Sequence, residues 1–451
     1  MRQHVSDSRT LVIGAGATGW SVARFLDARG EVCELADDNP EAVSPASAVE
    51  NGPGLAVRRL DASLLDGVSR LVVSPGVPAD HPVLMEAAAR GVAVTGDIAL
   101  FMREARAPVV AITASNGKST VTELLGEMAR AAGRRVGVGG NLGTPALDLL
   151  ADDRDLYVLE LSSFQLEWVD QLDARAVTIL NISPDHLDRY ASFEDYAAAK
   201  KRIYRGAGTV VLNRQADFVD QADFANAASG KPKVVDFGLD VPAPGQYGLV
   251  EVDGTAWLAH GNRRLLPVAE LAMAGRHNIL NALAALALGE AVGLPRAPML
   301  AQLRVFRGLP HRCQVIARRA GVIWVNDSKA TNTGATIAAL EGLSDGHRAN
   351  LILIAGGQGK GQDFSPLARA LPGKVRHLVL LGEAAMVIAN AVGGELPVSQ
   401  AVDMTEAVQL AAGIARDGDT VLLSPACASF DMFKGFADRG DSFVDAVEAL
   451  C

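Results

Sequence analysis

At 451 residues, 49% hydrophobic and 21% charged, the chain has a globular composition and the length of about three packed domains. A net charge of −10 excludes a general nucleic-acid binder, which needs a basic surface against phosphates in bulk. Small phosphorylated ligands stay open, because backbone N–H groups at a helix start hold them without net positive charge.

The first predicted strand is TLVIG, followed by GAGATG and a helix from Trp20 to Arg29. EVCELAD predicts a second strand ending at Asp37 and Asp38, and RLVVSPG a third that turns at Pro75 and Gly76. This alternation implies a parallel sheet with helices on its faces. Gly14, Gly16 and Gly19 fit G-x-G-x-x-G between a strand and a helix, and Asp37 follows at the spacing of a dinucleotide fingerprint. Any diphosphate approaching that turn has the same steric needs. NAD, another nucleotide and a tight turn without ligand all remain open. The block is expected to span residues 1–96.

A second block, residues 97–307, starts with the strand APVVAIT and runs directly into ASNGKST. Gly117 would let the backbone approach phosphate, Lys118 would reach the β and γ oxygens, and the Ser119 hydroxyl would meet Mg²⁺. The usual phosphate loop carries a glycine five residues before the GK pair; here that position is Ile112, and Ala114 lies three before Gly117. DLYVLEL, AVTILNIS and GTVVLN predict further buried strands. Glu160 closes the first of these, a natural Mg²⁺ position and equally a place for a salt-bridged edge residue. NISPDHLDRY clusters Asp185, His186 and Asp188, among which chemistry alone does not choose. In SFEDYAAAKKRIY, Ser192 is the expected N-cap, and Tyr196, Lys200 and Ile203 share one helix face. A lysine on that face loses solvation, and its pKa falls. Snorkelling or an ion pair is the ordinary reading; capture of CO₂ as a carbamate is the alternative. Gly238 to Pro267 predicts a small antiparallel addition, Asn278 to Ala291 a helix, and FRGLPHR a linker.

The third block, residues 308–451, repeats the rhythm with GVIWVNDS, NLILIAGG, HLVLLG and TVLLSPA as strands. NDSKATN, GGQGKGQDF and LLSPACASFDMFKGF follow strand ends and suit a small anionic ligand as well as plain solvated loops. Cys427 has no histidine partner in the pattern and is not assigned as a nucleophile. Four scattered cysteines, no apolar stretch behind the charges of MRQHVSDSRT and no bilayer-length apolar run lead us to expect a cytoplasmic protein.

Taken together, SNGKST, GVGGNLGTPAL, LELSSFQLE, DHLDRY, AAAKKRIY, GRHNILNALAA, GLPHR, NDSKATN and SPACASFDMFKGF resemble the Mur ligase family of amide-forming enzymes, over nearly the whole chain. The third-block motifs, without the DNPR of diaminopimelate-adding members, resemble the branch that adds D-glutamate. The resemblance implies an α/β fold of three domains: N-terminal Rossmann-like, central P-loop ATPase-like and C-terminal Rossmann-like. It implies ATP, UDP-N-acetylmuramoyl-L-alanine and D-glutamate as substrates, two Mg²⁺ ions, an acyl-phosphate intermediate and a monomer that binds neither nucleic acid nor membrane. It assigns Gly117, Lys118, Ser119, Thr120, Asn278, Arg312, Asp327 and Lys329 to ATP, and Thr18, Asp37, Ser74, Asn141 and Ser162 to the UDP substrate. Thr331, Lys360, Ser429 and Phe436 fall to D-glutamate. Ser119, Glu160, His186 and a carbamate on Lys200 fall to metal, with Lys118, Glu160, His186 and Lys200 as the catalytic set. Two departures stand out: Asn39, where the D-glutamate adders often carry a basic residue, and Ala114, where the family's shorter loop has its early glycine. A methyl at 114 is tolerable if φ stays negative.

Overall fold

The computed structural model describes residues 9–42, 55–186, 189–216, 231–273, 275–344 and 348–450. The chain builds three sheets in series. The first contains β1 (Arg9–Ile13), β2 (Cys33–Asp37), β3 (Val57–Arg59), β4 (Val68–Val73) and β5 (Ala93–Gly96), all parallel in the order β3-β2-β1-β4-β5. This is the Rossmann-like arrangement, with its crevice beyond β1 and β4.

The second sheet has nine strands. They are β6 (Val109–Thr113), β7 (Val136–Gly140), β8 (Leu156–Glu160), β9 (Ala176–Ile179), β10 (Thr209–Asn213), β11 (Lys233–Phe237), β12 (Tyr247–Val252), β13 (Thr255–His260) and β14 (Arg263–Pro267). Their order is β14-β13-β12-β11-β10-β9-β6-β8-β7, parallel from β7 to β12, while β12 to β14 form the expected antiparallel addition. β7 reads VGVGG, too rich in glycine to look like a strand, yet its glycines serve close packing. A Cβ on Gly137 would stand 2.8 Å from the Tyr157 ring, and one on Gly139 2.2 Å from the Thr144 carbonyl.

The helix Arg276–Ala291 buries every residue from Asn281 to Gly289. A helix apolar on all sides has to lie inside, and it packs with the helix Lys118–Ala131 in one core. It therefore carries Asn278 and Asn281 to the phosphate loop. The third sheet comprises β15 (Gln314–Arg319), β16 (Val322–Asn326), β17 (Leu351–Gly356), β18 (Val375–Leu381), β19 (Val398–Gln400) and β20 (Thr420–Leu423). Its order is β15-β16-β20-β17-β18-β19, parallel except for the β15–β16 pair. The predicted polar motifs all leave the carboxyl ends of central strands in these sheets, where open α/β folds place ligands.

Candidate functional site

β6 ends at Thr113, and the helix Lys118–Ala131 begins after four residues held tightly in place. The Asn116 N–H donates to Asn181 Oδ1 at 2.8 Å, and Asn181 Nδ2 returns a bond to the Asn116 carbonyl at 2.9 Å. The Ser115 hydroxyl bonds the Ser183 carbonyl at 3.0 Å and lies 3.0 Å from the Tyr196 hydroxyl. Gly117 caps the helix with φ of +85°, and a Cβ there would meet Asn281 Oδ1 at 2.8 Å, so both conformation and space demand glycine. Lys118 Nζ donates to the carbonyls of Ala114 at 2.6 Å and Ser115 at 3.1 Å; burial lowers its pKa.

Ala114 is fully buried and is not among the residues with positive φ. Its carbonyl, not its methyl, meets the lysines. Ala114→Gly is therefore expected to leave the KM for ATP within about twofold while costing about 1–2 kcal/mol of stability from lost burial and added backbone freedom. Steady-state kinetics beside a urea melt checks both, and a tenfold rise in KM would contradict it.

Glu160 closes β8, buried, with Oε1 accepting from Asn141 Nδ2 at 2.6 Å and Oε2 without any hydrogen-bond partner. Among the described residues it makes no ion pair, which leaves the salt-bridged reading unsupported. Ser192 caps the helix Phe193–Lys201 as expected, accepting from the Asp195 N–H. Tyr196, Lys200 and Ile203 are buried together, with Lys200 only 2% exposed. Lys200 Nζ donates to the Ala114 carbonyl at 3.0 Å, lies 3.4 Å from Thr113 Oγ1 and sits 4.7 Å from the Tyr196 ring centre. Two lysine nitrogens thus converge on the Ala114 carbonyl. Burial first, and then the nearby Lys118 charge, lower the Lys200 pKa well below the ordinary lysine range.

His186, at φ +54°, stacks edge-on against Phe164 at 4.9 Å and approaches the Tyr196 ring at 6.1 Å. Its neighbour Asp185 accepts from Asn332 Nδ2 at 3.0 Å, tying the NDSKATN stretch to DHLDRY. Asp188 lies outside the described residues.

A cavity of about 460 Å³ opens beside the loop, lined by Gly117, Thr120, Asn278, Arg312, Asp327 and Lys329 among others. Arg312 Nη2 donates to Ser119 Oγ at 2.7 Å, so the remaining expected nucleotide residues meet at its edge. Asp327 is held by Ser424 Oγ at 2.9 Å and the Cys313 N–H at 3.1 Å; burial raises its pKa to about 6. Lys329 stands 4.0 Å over the Phe436 ring, its pKa lowered by burial to about 8.

A second cavity, of about 490 Å³, gathers Thr18, Asp37, Ser74 and Asn141 between the first and second sheets. Ser74 Oγ bonds the Gly14 carbonyl at 2.8 Å, and Asp37 accepts from the Ala15 N–H at 2.7 Å and the Asn39 N–H at 2.9 Å. Asn39 thus faces Asp37 through its backbone. Ser162 is not in this wall. It caps the short helix Ser163–Leu166, and the residue it caps with, Gln165, takes its place in the lining. The S-x-x-Q spacing of a capping box was a sequence signal for Gln165.

The residues expected to hold the amino acid are spread along the ends of the third sheet. Lys360, exposed and at φ +49°, lies 5.8 Å from the Phe430 ring, while Thr331 is half-buried and Ser429 buried. Mutual hydrogen bonds between Gln358 and Ala428 hold their two loops side by side. Thr331, Lys360 and Ser429 do not line the 460 Å³ cavity.

Sequence reasoning missed Arg439. Its side chain is buried and donates to Ser328 Oγ at 2.9 Å and to the carbonyls of Ser328 at 2.7 Å, Cys427 at 3.1 Å and Ala428 at 3.2 Å. It ties the loops after β16 and β20 to the helix Phe436–Glu448. Arg439→Met is expected to destabilise the protein by about 3 kcal/mol or more, since several buried acceptors lose their donor. Chemical denaturation checks it; a change below about 1 kcal/mol would refute the role.

Profiles of one family match three successive stretches. They are the Mur ligase MurD-like N-terminal domain over residues 8–96, the Mur ligase middle domain over 112–289 and the Mur ligase glutamate ligase domain over 311–427. The chain is 52% identical over 453 residues to the UDP-N-acetylmuramoylalanine–D-glutamate ligase of Pseudomonas aeruginosa, covering 99% of each chain. It is 50% identical over 446 residues to the Hahella chejuensis protein of the same name, covering 98% of this chain and 99% of that one. Among solved structures, a pseudomurein peptide ligase type C from Methanothermus fervidus superposes with a TM-score of 0.61 at 18% identity, over 98% of this chain and 100% of that one. The UDP-N-acetylmuramate–alanine ligase of Thermotoga maritima gives 0.58 at 18% identity, over 98% and 99%. At such identity these two establish the three-domain α/β fold.

Proposed function

The chain belongs to the Mur ligase family, and from that premise we propose that it is an ATP-dependent ligase joining D-glutamate to UDP-N-acetylmuramoyl-L-alanine, a step in building the peptidoglycan precursor. The observation that carries the chemistry is the 460 Å³ cavity, where Gly117 and Thr120 of the phosphate loop face Arg312, Asp327 and Lys329 from the third unit. ATP in that cavity would present its γ-phosphoryl group to Lys118 and Ser119. The substrate carboxylate, a poor electrophile, attacks that phosphorus in line, giving an acyl phosphate and ADP. The D-glutamate amine then attacks the acyl carbon, and phosphate leaves from a tetrahedral intermediate. Lys118 and Arg312 offset the repulsion between carboxylate and triphosphate.

Ser119, Glu160, His186 and Lys200 as a carbamate would hold two Mg²⁺ ions, which when bound neutralise charge on the phosphoryl oxygens. Among the described residues no three of His, Cys, Asp or Glu form a metal-sized cluster; Mg²⁺ needs only one or two protein ligands beside substrate phosphates and water. The unpartnered, buried Glu160 Oε2 fits a cation. A lysine that is buried beside a second lysine favours its neutral amine, the form that adds CO₂ with loss of a proton. The second cavity supports Thr18, Asp37, Ser74 and Asn141 as contacts of the UDP compound; Ser162, which does not line it, is kept as a contact through the turn it shares with Gln165. Thr331, Lys360, Ser429 and Phe436 are assigned to D-glutamate, and the units divide at residues 96 and 307. No helix among the described residues is long and apolar enough to cross a membrane. We assign a cytoplasmic monomer from the family resemblance and the scattered cysteines.

The test is phosphate release from ATP with UDP-N-acetylmuramoyl-L-alanine and a panel of amino acids. D-glutamate should stimulate release well above the others; equal stimulation by another amino acid sinks the assignment.

A further inference from the structure

At the seam between the first two sheets, Gly96 ends β5 and Asp97 starts the helix Asp97–Glu104. Asp97 is 3% exposed, and among the described residues no cation pairs with it. An unpaired buried carboxylate is costly and persists only where its acceptors are used. Oδ2 accepts from Gln165 Nε2 at 3.2 Å, and backbone N–H groups of the helix start supply the rest. Gln165, itself 3% exposed, is fixed at every polar atom. Its Oε1 accepts from the Ser162 N–H at 3.1 Å, and its own N–H donates to Ser162 Oγ at 3.1 Å. The same turn follows Glu160 by two residues and carries Phe164, against which His186 stacks. The fit is close on the backbone side as well: a Cβ on Gly96 would stand 2.8 Å from Trp168 Cβ.

We propose that Asp97 is a positioning residue for the UDP-compound cavity, holding Gln165, and through it the Ser162–Gln165 turn, in the wall that faces Asp37, Ser74 and Asn141. The carboxylate determines the orientation of the Gln165 amide, because it can only accept. With that acceptor lost, Gln165 Nε2 loses its partner and the amide is held only on its Oε1 side, by the Ser162 N–H. The turn then relaxes on the side that meets the muramoyl part, while the nucleotide cavity on the far side of β6 keeps its walls. This role rests on the ligase reading above.

The test measures KM for each of the three substrates in the full-length enzyme. Asp97→Ala should raise KM for UDP-N-acetylmuramoyl-L-alanine about tenfold, lower kcat less than about threefold and leave the ATP and D-glutamate KM values within about twofold. An unchanged KM for the UDP compound, or an equal rise in all three, overturns the proposal. If Asp97→Ala does not fold, an exchange decides. Gln165→Glu alone sets two carboxylates together and should weaken binding of the UDP compound. Adding Asp97→Asn reverses donor and acceptor and should restore it; no recovery over the single variant overturns the role. A wild-type enzyme without D-glutamate-dependent phosphate release would instead sink the ligase reading itself.

Discussion

Replacing Lys118 by methionine is expected to lower kcat about 10²–10³-fold while the protein stays as stable as wild type within about 1 kcal/mol. Lys118 is the first residue of the helix capped by Gly117 on the cavity wall, and its ammonium lies against the Ala114 and Ser115 carbonyls of the loop. In a loose transition state the transferring group spreads its charge over three equatorial oxygens while charge builds on the departing β–γ oxygen, so a positive partner there stabilises the transition state more than bound ATP. The KM for ATP should therefore rise less than tenfold. Stability is nearly conserved because two effects offset. Methionine removes a desolvated charge, but it leaves the Ser115 carbonyl without its donor. The pH dependence has a definite sign. Burial lowers the folded-state pKa of Lys118 below its ordinary value of 10.5, so between those values the unfolded chain binds more protons than the folded one. Stability therefore gains from this group as pH rises through that window, and Lys118→Met should flatten the rise. Urea denaturation at several alkaline pH values measures the slope. A variant whose kcat stays within tenfold of wild type would remove Lys118 from the chemistry.

Lys200→Ala is expected to lower kcat by about 10²–10³-fold, and added formate or acetate should restore part of it. The side chain is buried among Tyr196, Thr113 and the Ala114 carbonyl, so its removal leaves a polar gap that a small carboxylate can enter. A carboxylate there supplies the oxygen atoms that a carbamate would supply. An ammonium whose work is purely electrostatic would not be replaced by an anion. Rescue in Lys200→Ala with none in Lys118→Met therefore separates the two lysines. Full rate in Lys200→Ala would dismiss the carbamate.

The phosphate loop was legible because its chemistry is local. Gly117, Lys118 and Ser119 sit between a strand and a helix, and the backbone at Gly117 follows from residue type alone. The departure at Ala114 was also legible, but its harmlessness was not. It depends on φ and on which atom meets the lysines. Glu160 could be placed at a strand end, whereas its free oxygen emerged only once Asn141 was seen to occupy the other. Ser162 and Gln165 show the limit in the other direction. The capping box was present in SSFQ, but which of the two side chains reaches the cavity depends on Asp97, 68 residues earlier in the chain. Arg439 lies far along the chain from Ser328, and no spacing rule connects them.

Residue order alone missed short or glycine-rich strands such as β3, β7 and β19, but it yielded most of the long apolar strands and the helices after them, the polar clusters at strand ends and the helix face shared by Tyr196, Lys200 and Ile203. These follow from short-range periodicity and from the backbone preferences of glycine and the capping residues, which act within one or two turns. The tertiary structure alone decided what stands opposite what: Arg312 on Ser119, Asn332 on Asp185, Asp97 on Gln165 and two lysines on one carbonyl. Such pairings arise when strand ends meet, between separate sheets for Asn332 on Asp185 and Asp97 on Gln165 and within the second sheet for the two lysines. The burial that then shifts the Lys200 and Asp327 pKa values belongs to the packed assembly rather than to any segment.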